Sequence, residues 1–259
     1  MNNQSLLDYT LHLADANLVL AQRNGEWCAH GPILEQDIAI TNISLDLLGQ
    51  ARNFYQYAAE LINQSPEHPL FPATEDSLAY MRGEREFKNP LITELPIGDW
   101  GQTVLRQYFY SVYQYLLFEE MKSSKDAQLS AIAAKSIKET IYHIRWSREW
   151  VIRLGDGTEE SHNRMLKAID FLWMYTGELF MPADYEIEVF KQGIGVDVSQ
   201  LKDKWFDQVG DILIEATLPM PDKNIYMQSG GKQGIHTEHA GFLLAEMQSL
   251  QRTYPGATW

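Results

Sequence analysis

Apolar residues recur along this chain with the period of an α-helix. From Ser5 to about Gln22, the residues Leu7, Leu11, Ala14, Leu18 and Val19 form a stripe at i, i+4, i+7 spacing, which predicts an amphipathic helix. The stretch AHGP breaks that pattern, and Pro32 suits the start of a second helix. The second helix is expected from about Leu34 to Ile62, with Ile38, Leu45, Leu48 and Ala59 on its stripe. A third, from about Gln102 to Ser123, carries Tyr108, Phe109, Tyr110, Tyr113, Tyr115 and Phe118; this aromatic stripe reads mainly as core. A fourth runs from about Asp126 to Leu154, with Gly155-Asp-Gly157 as its stop signal. A fifth starts near Ser161 and ends before Pro182. A sixth spans Ser199 to Leu218, and a last one runs from Thr237, a natural N-cap, to about Thr253.

Two segments fall outside this pattern. Residues 64–100 hold five of the ten prolines. A loop of this length in a compact domain is usually functional or partner-facing. It is expected to run over the surface, apart from one short helical turn from Thr74-x-x-Ser77 to Met81. Tyr226-Met-Gln-Ser-Gly-Gly-Lys-Gln-Gly234 is a glycine-rich loop that follows no strand and lacks the full phosphate-loop spacing. Loop geometry or a partner contact explains it better than a phosphate. The pattern therefore predicts an all-α fold, a helical bundle with additional packed helices, and one domain over 1–259. A 28-residue helix is about 42 Å long, which suits a bundle.

Composition narrows the class. The net charge of −14 disfavours nucleic-acid and anionic-membrane partners. The N-terminus has no basic region and no unbroken apolar run, so neither a signal peptide nor a membrane span is expected; the cytoplasm is the default location. Cys28 is the sole cysteine, which leaves no intrachain disulfide and no cysteine-based metal cluster. Its aromatic setting, GEWCAHG, reads as a buried structural thiol.

The polar residues on the helices suggest a chemistry. A two-metal carboxylate bundle takes one Glu from each of two helices and Glu-x-x-His from each of the other two. Here Asp15 and Asp46 lie in the first two helices, and Gln107 and Glu139 in the third and fourth, each pair separated by about thirty residues, as ligands at one height of a helical hairpin would be. The ligand chemistry is incomplete. Gly49 follows Asp46 at i+3, and Tyr142 follows Glu139 where a histidine belongs. Gln107 is neutral, and His143 stands one position too far round the helix. The set Asp15, Asp46, Gln107, Glu139 and His143 thus reads as a degenerate relic site without metal, and no residue is assigned a catalytic role. Buried acids still need partners, and Lys135 and Arg52 are candidate counter-charges. The alternative is a stand-alone di-iron or di-manganese oxygenase or oxidase using Asp15, Asp46, Glu139 and His143. A metal-free binding module is a further reading. Glu159-x-x-His162 and His236-Thr-Glu-His239 each open a helix, where their polarity suits the helix dipole.

Three stretches carry a resemblance: LADANLVLAQRNGEWCAHGPILEQDIAITNISLDLLGQARNFYQYAAEL, AAKSIKETIYHIRWSREWVIRLGDGT and SGGKQGIHTEHAGFLLAEMQSLQR. On these the chain resembles the structural, non-catalytic subunits of bacterial phenylacetyl-CoA epoxidases, over nearly its whole length. The resemblance implies a ferritin-like fold related to the multicomponent monooxygenases. It implies a hetero-oligomer with a homologous catalytic subunit that carries the di-iron centre, together with further complex subunits. Flavin and iron–sulfur would reside in a reductase, and the complex would convert the aromatic ring to its 1,2-epoxide in aerobic phenylacetate catabolism. The proline-rich segment and the aromatic helix are the contact surfaces this reading would use.

Overall fold

In the computed structural model, residues 3–222 and 225–257 are described. Among them there are α-helices and short 3-10 turns and no strand. Four long helices form the bundle: α1 (Asn3–Gly25), α2 (Leu34–Asn63), α5 (Trp100–Met121) and α6 (Ala127–Gly155). The shorter α3 (Glu75–Tyr80) and α4 (Leu91–Glu94) lie between α2 and α5 in the chain. The helices α7 (Glu159–Leu172), α8 (Asp184–Lys191), α9 (Lys202–Glu215) and α10 (Glu238–Thr253) pack around the bundle. This is a ferritin-like bundle with added helices, as the periodicity and the resemblance predict.

Caps set the helix starts. Asp126 accepts from Leu129 N, Thr237 from His239 N, and Thr74 forms a capping box with Ser77. Each satisfies a backbone donor that the first turn leaves free. The α1 stripe is buried as expected. The helix α5 is buried on nearly every side, because residues on all its faces are apolar or aromatic and such a helix belongs inside. Its Phe109 meets the rings of Trp173 and Trp205 edge-on.

Four expectations need correction. The core face of α2 is Ile40, Ile43, Leu47, Phe54, Ala58 and Ile62; of the predicted stripe, only Ala59 is buried, while Ile38, Leu45 and Leu48 face solvent. This helix has two apolar faces, and periodicity alone cannot say which one packs. The segment 64–100 is not a surface loop, because Phe87, Asn89, Leu91, Ile92 and Leu95 are buried. The prolines misled there: carboxylates, rather than secondary structure, satisfy its backbone. Cys28 is exposed, in the turn after α1. Finally, α8 has no counterpart among the predicted helices, since eight residues are too few for a clear period.

Candidate functional site

The bundle centre holds a polar level with one amide or carboxylate from each long helix. Gln114 of α5 donates through Nε2 to Asn17 Oδ1 of α1 at 2.6 Å and to Gln50 Oε1 of α2 at 3.1 Å. Gln50 in turn donates to Glu139 Oε2 of α6 at 2.9 Å. Thr140 Oγ1 lies 3.4 Å from Gln114 Oε1. Asn17, Gln50, Gln114 and Thr140 are all buried. One layer along, Asn24 donates to Gln107 Oε1 at 2.7 Å, and Gln107 donates to Ser111 at 2.8 Å. The His143 ring contacts Asp46 Oδ2 through Nε2 at 3.1 Å, while its Nδ1 is buried without a partner.

The five residues singled out from sequence therefore do not converge. Glu139 alone stands in the central level. Gln107 lies one layer away, Asp46 and His143 form a pair between α2 and α6, and Asp15 is bound by Arg82 and Tyr55 away from that level. Arg52 pairs with Glu75 at the surface and Lys135 is exposed, so neither balances a core acid. The residues that build the level, Asn17, Gln50 and Gln114, are absent from the predicted set because neutral amides do not resemble metal ligands. A signal existed: the amide pairs Asn17/Asn24 and Gln107/Gln114 each repeat at seven residues, one helical face.

This donor set does not fit a two-iron centre. Such a centre takes four carboxylates and two imidazoles, and the central level offers three neutral amides, a hydroxyl and one carboxylate. Among the described residues no group of three or more His, Cys, Asp or Glu side chains is placed to share a metal ion. What the level can do is hold four helices in register, since each amide both donates and accepts.

A second set of buried charges holds the irregular segments. Asp15 accepts from Arg82, from Tyr55 Oη at 2.5 Å and from Lys88 N at 2.9 Å. Glu178 accepts from Leu91 N at 2.7 Å and Gly230 N at 2.8 Å. The glycine-rich loop thus does cradle an anion, and the anion is the protein's own Glu178. Burial pushes the Glu178 carboxyl above its ordinary range, against the pull of these backbone donors. The glycines permit close backbone approach: a Cβ on Gly231 would lie 2.3 Å from Asn89 O, and one on Gly234, at φ +76°, 2.2 Å from Arg85 O. Lys232 is buried against Glu186, with Nζ to Oε2 at 3.0 Å.

Glu94 closes the set. It accepts from Thr237 N at 2.6 Å and Asn89 Nδ2 at 2.8 Å, and its Oε2 lies 2.7 Å from His236 Nδ1. Nε2 of His236 faces Phe87 O at 3.0 Å. Both ring nitrogens meet acceptors, so the imidazolium is the form that fits. Burial lowers the pKa of His236, but the Glu94 contact outweighs it and the net shift is upward. For His12 burial dominates and the shift is downward. A histidine raised in the fold contributes stability below its unfolded pKa and loses it as pH rises through the folded value. Replacing His236 by Asn is therefore expected to cost about 1.5–3 kcal/mol at pH ~6, the range for a hydrogen bond to a charged group. Urea unfolding of wild type and His236→Asn should show this gap narrowing as pH rises above about 6.5, the ordinary histidine value. A gap that widens would refute the assignment. His12 acts in the opposite sense, withdrawing stability as pH falls below that value, and it is present in both proteins.

Comparison with known proteins adds two findings. A family model described as "phenylacetic acid catabolic protein" matches residues 1–259. The chain is also similar to one of the subunits of the 1,2-phenylacetyl-CoA epoxidase of Escherichia coli (strain K12), with 49% identity over 254 residues, which cover 98% of this chain and 99% of that protein.

Proposed function

The chain belongs to the phenylacetic acid catabolic protein family, and from that premise we propose that it is the structural, non-catalytic subunit of a multicomponent oxygenase that epoxidises the ring of phenylacetyl-CoA. In this reading residues 1–259 form one ferritin-like domain that works in the cytoplasm without a metal of its own. It stabilises and positions a homologous subunit that carries the di-iron centre, and a flavin and iron–sulfur reductase supplies electrons.

The observation that carries this reading is the amide chemistry of the central level, Asn17–Gln114–Gln50–Glu139. Amides hold helices together without the charge that binding and bridging metal ions requires. The identity to an epoxidase subunit supports the reaction class. Against a stand-alone oxygenase stands the separation of its ligands: Asp15 is engaged by Arg82, and Asp46 by His143.

The test is to purify this chain alone, the homologous subunit alone and both together, then measure iron and phenylacetyl-CoA epoxidation. The expected result is iron only in samples with the homologous subunit, and turnover greatest in the complex. Two irons per chain and turnover by this chain alone would overturn the reading.

A further inference from the structure

The core accounts for one face of α2 and leaves its opposite face unexplained. Leu34, Ile38, Thr41, Leu45, Leu48 and Arg52 are spaced 4-3-4-3-4, the a/d repeat by which two helices pack side by side. Every apolar member is open to solvent: Leu34 is 71% exposed, Ile38 51%, Leu45 59% and Leu48 38%. An aligned apolar stripe of this kind marks an interaction surface, whereas isolated exposed leucines do not. Thr41 Oγ1, in the same row, is buried without a hydrogen-bond partner.

Two further features adjoin the stripe. Beside Leu48 and Arg52 lies a groove of about 390 Å³ with Leu18, Ala51 and Ala79 in its lining, deep enough to take a side chain from a second helix. Gly49 sits in the middle of α2, where glycine weakens a helix relative to alanine. Nothing lies within 4 Å of where its Cβ would be. No contact inside this chain requires a glycine there, so the small residue serves something outside it, and close approach of another backbone is the direct use.

We propose that this face of α2, from Leu34 to Arg52 with its groove, is where a long helix of the homologous subunit packs. The proposal rests on the scaffold reading above. The spacing identifies the occupant as a straight helix matching about 27 Å of α2. Charge identifies it as a different chain. A second copy would bring −14 against −14, which works against self-association. The adjacent α6 carries exposed Lys135, Lys138 and Arg145, outside every ion pair among the described residues. These cations suit carboxylates flanking an apolar seam on the partner helix.

The experiment titrates the full chain against the purified homologous subunit by sedimentation, with thermal melts of the free chain alongside. The double variant Ile38→Glu/Leu45→Glu should keep the wild-type melting temperature and lose at least about 100-fold in affinity, the effect of charges driven into an apolar seam. Gly49→Leu should raise the melting temperature of the free chain and still weaken the complex. Phe242→Glu, at an exposed position on α10, should bind as wild type. Wild-type affinity in the double variant would overturn the proposal while leaving the scaffold reading in place. If wild type and the homologous subunit fail to associate at all, the scaffold reading falls and the proposal with it. Self-association of wild type that the double variant abolishes would assign the face to a second copy, which also overturns it.

Discussion

Replacing Arg82 by Met is expected to destabilise the chain by about 3–5 kcal/mol, because it leaves Asp15 charged and buried with too few partners. Arg82 is buried and donates to both oxygens of Asp15, to Glu86 O at 2.9 Å and to Leu78 O at 2.6 Å. Its guanidinium also lies 4.3 Å from the centre of the Phe87 ring. Burial alone would lower the guanidinium pKa; Asp15 reverses that and raises it. The pair is therefore charged on both sides throughout the neutral range. For a chain of this size the loss corresponds to a fall in Tm of roughly 10 °C. Urea unfolding followed by circular dichroism measures it directly. Adding Asp15→Asn to the Met variant removes the stranded charge, so the double variant should lose less than the sum of the two single losses. Strict additivity, or an Arg82→Met variant within about 1 kcal/mol of wild type, would show that Asp15 does not depend on Arg82.

Lys232→Met is the second large effect, again about 3–5 kcal/mol for a buried ion pair broken on one side. The ammonium is shared among Glu186, Leu179 O and Met181 O, so its removal strands one carboxylate and two carbonyls. The effect differs in location from that of Arg82. Lys232 ties the glycine-rich loop to α8, and its loss should release the amides of Gly230 and Lys232 from Glu178. Hydrogen exchange should therefore speed up at 229–235 more than in α2 or α6. Glu186→Gln in the same background should restore part of the stability. Uniform exchange across the chain would mean that the lysine supports the whole core and not the loop.

The long helices were legible in the sequence because each carries a strong stripe and a marked end: Asp126 before α6, Gly155 at its close, Thr237 before α10. What the sequence concealed has two physical causes. On α2 both faces are apolar, so the stripe read as core, Ile38–Leu45–Leu48, is the one left outside. In 82–95 and 226–237 the backbone is satisfied by carboxylates from distant parts of the chain: Asp15 for Lys88, Glu178 for Leu91 and Gly230, Glu94 for Thr237. No local pattern encodes bonds of that range. The same limit applies to the site. The height of Glu139 on α6 was readable, but its neighbours Asn17, Gln50 and Gln114 are neutral and gave no metal-like signal. The proline-rich segment and the aromatic helix, expected as contact surfaces, are largely interior.

The long reach of these carboxylates also orders events in time. Glu94, Glu178 and Glu186 leave the ribosome well before the histidine, amides and lysine of 230–237 that satisfy them. Until that segment emerges, the nascent bundle cannot dehydrate those three acids without a large cost, so α4, α8 and the turn at 177–180 have no reason to dock. Contacts so distant in sequence slow folding and leave apolar surface waiting for its cover. The glycine-rich loop is thus the closing step of self-assembly: a chain interrupted before residue 230 carries three acids it cannot bury, and stays open to chaperones and proteases.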